Sequence, residues 1–242
     1  MKHKVAQQIL KDPEKYAHHD RVFLNNPVVM QGMGLAPLVV LATSGKNAVM
    51  LAVAVALLLT PSRLLACLLS RLAPISSENP EPEQLQKVLL PRVFIYTGSA
   101  ALVYFAIYPL LNALFDVDLL SLGIYLPMLV VEPLLIYRFG RVQESPRKAF
   151  SKGIRITIGY VLILLLLGCV REWMATGCIF GTAVTGRAVL PMASMPAGGF
   201  IVLGIVCAAW RALAQLRREF IHKEAQNLES VRRHKEAWLK HE

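Results

Sequence analysis

"GMGLAPLVVLATSG", residues 32–45, decides how this chain is read. The stretch is apolar enough for the interior of a bilayer, yet glycines at 32 and 34 and a proline at 37 interrupt it. A straight helix has no use for them, since glycine costs about 1 kcal/mol relative to alanine in a helix interior and proline about 3 kcal/mol. Backbone broken at membrane depth is tolerated only where protein or a water-filled cavity covers its freed polar groups. Such a segment is where a membrane protein builds a site. The residue at its centre here, Ala36, offers only a methyl group.

Outward from this stretch the composition agrees. The chain has 242 residues, 55% of them hydrophobic and 17% charged, with a mean hydropathy of +0.48, which points to an all-α integral membrane protein. A crossing takes about 20 apolar residues, and six candidate spans follow at 27–43, 47–70, 92–114, 120–137, 153–171 and 196–214. Residues 1–24 are polar, so a cleaved signal peptide is not expected. The net charge of +10 could suggest nucleic acid, but the positions of the basic residues decide otherwise. Of 26 Lys and Arg, 22 lie before span one, between spans two and three, between four and five, or after six, with Arg92, Arg155 and Arg211 at span ends assigned to the adjoining side. The opposite side has Lys46, Arg171 and Arg187, and Arg63 falls inside span two. This positive-inside asymmetry predicts an even number of crossings in the inner membrane with both termini cytoplasmic. The basic surplus then faces the inner leaflet and cytosolic partners, with the lipid bilayer as surroundings and no nucleic acid as partner.

The chain divides into a cytosolic lead-in (1–24), the first two spans (25–72), a polar Pro-rich loop (73–91), spans three to six (92–214) and a charged cytosolic helix (215–242). Two stretches, "GMGLAPLVV" and "LGIYLPMLVVEPLL", are short, interrupted by Gly or Pro, and each followed by two longer spans. Matching interrupted segments in two halves point to a 3+3 inverted repeat with broken helices 1 and 4. In the tail, Glu219 with Lys223, Glu229 with Arg233 and Glu236 with Lys240 stand four apart, acid first, the favourable order. Ile221, Ala225, Leu228 and Val231 form a thin apolar stripe, which suits a solvated helix or one that docks a cytosolic partner.

Candidate chemistry is sparse. Cys67, Cys169, Cys178 and Cys207 form no CxxC pair, and the three within spans read as small packing residues. His18 and His19 beside Asp20 read as solvated rather than metal-binding. Arg171 and Glu172 read as a pair stabilising the end of span five. Glu132 stands out as a carboxyl within span four, followed by Pro133. An intramembrane acid is a functional candidate because burying charge in lipid is expensive. Three roles stay open for it: a protonated structural acid, an acid paired with a partner's basic residue, or a proton or cation relay.

"NNPVVMQGMGLAPLVV", "GIYLPMLVVEPLL", "LLGCVREWMATGCIFG" and "MPAGGFIVLG" together resemble the six-span membrane subunits of the Rnf and Nqr redox pumps, of the RnfE/NqrD type, over residues 22–210. The resemblance implies a subunit of an ion-translocating electron transport complex, partnered by a homologous RnfA/NqrE-type membrane subunit. It also implies a 2Fe-2S cluster held by one cysteine from each broken helix, in Gly-Leu-Cys-Pro and Val-Val-Asn-Cys. Here those motifs are "GLAP" and "VVEP", so Ala36 and Pro133 occupy the ligand positions and Glu132 replaces the asparagine. Neither side chain can ligate iron. The expectation is a scaffold and ion-path element with no cofactor, metal or catalytic centre of its own, retaining Gly32, Gly34, Pro37 and Pro127 as its broken-helix framework. The alternatives are a diverged inverted-repeat transporter or channel-like module using Glu132, and a purely structural membrane anchor.

Overall fold

A computed structural model describes residues 9–10, 20–72, 82–131 and 145–238. Two short helices, α1 (Pro27–Gln31) and α2 (Leu35–Val40), precede the long α3 (Gly45–Leu72) and α4 (Pro82–Phe115). A 3-10 stretch (Asp116–Leu122), the one-turn α5 (Tyr125–Met128) and a second 3-10 turn (Leu129–Val131) follow. Then come α6 (Pro146–Thr176), the hairpin β1 (Cys178–Ile179) and β2 (Thr182–Ala183), a 3-10 turn (Pro191–Ser194) and α7 (Pro196–Trp238). In the hairpin Cys178 lies opposite Ala183 and Ile179 opposite Thr182.

Among the described residues, four stretches are long and apolar enough to cross a membrane: Gly45–Ser70, Val93–Leu122, Pro146–Thr176 and Pro196–Val231. They correspond to the second, third, fifth and sixth spans expected from sequence. The other two are not continuous helices. The first is split into α1 and α2, and the fourth, as far as Val131, is a succession of single turns around Gly123, whose φ is 49°. Residues 132–144, which contain Glu132 and Pro133, lie outside the described residues.

The core sits between α3 and α6. Ile156, Tyr160, Ile163, Leu164 and Leu167 recur at helical spacing on one face of α6 and are buried with Leu51 and Leu58 of α3 and Leu38 and Val39 of α2. Lipid tails are as apolar as leucine, so close contact rather than hydrophobic transfer must join these helices, and small residues provide it. A Cβ on Gly168 would stand 2.5 Å from that of Ala48 and 3.1 Å from the Ser44 carbonyl oxygen. By contrast, only 11% of the apolar window containing α4 is buried, against 56% for α3, so α4 presents its surface to lipid or to a neighbour.

Helix α7 continues well past 214, the end expected for span six. Its stripe residue Ala225 is fully buried against Ile9, with Ile221, Leu228 and Leu10 around them, while Val231 stays exposed. The stripe at Ile221, Ala225 and Leu228 therefore packs against Ile9 and Leu10.

Candidate functional site

The break in the first segment is written in its local chemistry. Asn26 caps α1 by accepting the N–H of Val28 at 2.9 Å, and Pro27 takes the first helical position, where a missing donor costs nothing. Gly32 ends α1 at φ 64°, donating to the Val28 carbonyl at 2.8 Å. Gly34 starts α2 at φ 69°, and a Cβ there would collide with the Tyr160 ring. Pro37 falls in the first turn of α2, where helix N–H groups lack intrahelical acceptors in any case.

Two half-helices leave two sets of C-terminal carbonyls without helical partners, and arginines take them up. Arg171 of α6, completely buried, donates from Nη1 to the carbonyls of Val39 (2.6 Å), Ala42 (3.1 Å) and Leu38 (3.3 Å) at the end of α2. Its Nε donates to Ala193 (2.8 Å), and its Nη2 to Ser194 and Met195 (both 3.3 Å), at the turn leading into α7. Arg211 of α7 donates twice to the Val29 carbonyl of α1, at 2.8 and 3.1 Å. Between the halves, the Tyr160 hydroxyl donates to the Gly34 carbonyl at 3.1 Å. The Asn26 amide donates to the carbonyls of Gly159 (2.8 Å) and Val22 (3.0 Å). The carbonyls of Val29, Gly34, Leu38, Val39 and Ala42 are thus satisfied from α6 and α7.

The expected pairing of Arg171 with Glu172 does not form. Adjacent helical residues point in different directions. Arg171 turns inward, while the Glu172 carboxylate accepts the N–H of Gly45 at 2.7 Å and of Gly181 at 2.9 Å, tying the start of α3 to the hairpin.

Of the residues singled out from sequence, Gly32, Gly34, Ala36 and Pro37 come together in the break. Ala36 is exposed on α2, while Pro37, Leu38 and Val39 are buried. Pro127 lies elsewhere. With Gly123, Leu126, Tyr104, Tyr108 and Asn112 it lines an open groove of about 440 Å³ between α4 and the fourth segment. Cys67 is buried, and Cys169, Cys178 and Cys207 are partly exposed free thiols. Among the described residues no group of three or more His, Cys, Asp and Glu comes together.

Sequence reasoning passed over Arg171 as a clamp, and with it Tyr160 and Arg211. The Asn26 cap was passed over too, although Asn-Pro at 26–27 carries a cap signal. For Arg171 the available signal was a guanidinium within an apolar span, on a chain with a broken helix whose carbonyls needed donors.

A family model described as "Rnf-Nqr subunit, membrane protein" matches residues 16–207. The chain is similar to a protein of Shewanella oneidensis named as a subunit of the ion-translocating oxidoreductase complex, 31% identical over 213 residues, covering 81% of this chain and 85% of that protein. The protein of the same name from Shewanella loihica is 30% identical over 201 residues, 76% of this chain and 81% of its own. That from Aliivibrio fischeri is 26% identical over 227 residues, 86% and 93%.

Proposed function

The chain belongs to the Rnf-Nqr family of membrane subunits, and from that premise we propose that it is a scaffold beside the ion path of an ion-translocating oxidoreductase complex, holding no iron–sulfur ligand of its own. In this reading six segments form a 3+3 inverted repeat in the inner membrane with both termini cytoplasmic, next to a homologous membrane subunit. Electrons pass through the partner subunits.

The observation that carries the reading is Ala36. It stands exposed on a half-helix that Arg171 holds in place, so the position to which the resemblance gives a cluster ligand carries only a methyl group. A 2Fe-2S cluster needs four donors, ordinarily thiolates. The residue at this position does not fit one, and no electron transfer step is assigned to it.

The test is to purify the intact complex through a tag on this chain and reconstitute it in vesicles. Co-purification with the other membrane subunits and donor-driven ion flux that disappears when this chain is deleted are expected. Iron bonded to any atom of this polypeptide would overturn the scaffold reading, and flux unaffected by its deletion would remove it from the ion path.

A further inference from the structure

Six main-chain carbonyls converge on one guanidinium at the junction of α2, α6 and the turn before α7. A guanidinium carries five N–H donors, so at least one of its bonds is shared and the oxygens outnumber the hydrogens. Among the described residues, every hydrogen bond of Arg171 goes to a backbone carbonyl and none to a carboxylate. The oxygens of Leu38 and Val39 belong to the C-terminal end of α2, and those of Ala193 and Ser194 to the end of a 3-10 turn. Both ends carry the negative pole of their peptide dipoles. Broken helices in membrane proteins gather carbonyls in this manner around inorganic cations. The site is also tightly fitted. A Cβ on Gly199 would stand 2.9 Å from the Arg171 Cζ and 3.0 Å from the Val39 oxygen, so this first turn of α7 closes over the guanidinium only because it lacks a side chain.

We infer that this carbonyl cluster is a monovalent-cation site which the chain fills with its own arginine. The guanidinium is a tethered cation: it satisfies the oxygens, joins the end of α2 to the start of α7, and keeps a free ion from entering at this point. The inference goes beyond the electron-transport reading and does not depend on it, since it concerns only what these oxygens bind.

Chemical rescue tests it on the full-length protein in detergent. Arg171→Ala leaves the cluster without its cation, and its Tm is expected to fall. Millimolar guanidinium chloride should then raise that Tm by about 5 °C, while choline chloride at equal ionic strength and urea at equal concentration should not. The wild-type protein, with its site filled, should show no rise. Equal response of the alanine variant to guanidinium, choline and urea would overturn the inference. If that variant does not accumulate, Arg171→Lys and Arg171→Met carry the comparison. A cation site favours the lysine variant, with more folded protein and a higher Tm, whereas an apolar packing site favours methionine. Equal values, or methionine ahead, would equally overturn it.

Discussion

Gly32 and Gly34 stand two residues apart, both in the left-handed region, but they are needed for different reasons. A Cβ on Gly32 meets nothing closer than the Leu35 Cδ1 at 4.0 Å, so Gly32→Ala bears only the backbone cost, about 1–2 kcal/mol. Gly34→Ala bears the same cost and also collides with the buried Tyr160 ring, so roughly 2–4 kcal/mol is expected, read as a larger drop in Tm. Tyr160→Phe leaves the Gly34 carbonyl without its donor and should cost about 1–2 kcal/mol. The glycines and Pro37 were legible because each acts within a turn of its own position. Arg171 was not, because its acceptors on α2 lie about 130 residues away in sequence and no local pattern names them.

At the scale of elements, the first segment is two short helices, each too short to be stable alone, held by caps and neighbours. Asn26 separates these contributions. Asn26→Asp keeps the acceptor for Val28 but loses the donations to Val22 and Gly159, so it should cost about 1–3 kcal/mol; a cap-only role predicts no change in Tm. Glu172→Gln leaves a single oxygen for two N–H groups. Amide hydrogen exchange should accelerate at Gly45 or Gly181 and across the hairpin, and stay unchanged in the middle of α3. The apolar spans of α3, α4, α6 and α7 were readable from length alone, whereas the first turns of α4, from Pro82, fall in the polar stretch read as a loop. The hairpin after α6 was not, because strands of two residues have too few positions for an alternating pattern to register.

For the whole molecule, the distribution of lysine and arginine sets a testable orientation. Cys178, in the first strand of the hairpin and partly exposed, should react with a membrane-impermeant maleimide in right-side-out vesicles and not in sealed inside-out ones. Cys67, Cys169 and Cys207, all within the long helices, should stay unlabelled in both. A cysteine placed at Lys240 should show the reverse pattern to Cys178.

The arginine contacts also bear on how the chain is made. Val29 leaves the ribosome 182 residues ahead of Arg211, and Val39 132 residues ahead of Arg171. At about 5–20 residues per second, the earlier segment waits on the order of ten to thirty seconds for the side chains that complete it. During synthesis the two half-helices therefore lack their final partners and need shelter, in an insertase groove or at the headgroup surface. This early segment is among the last to settle into the bilayer.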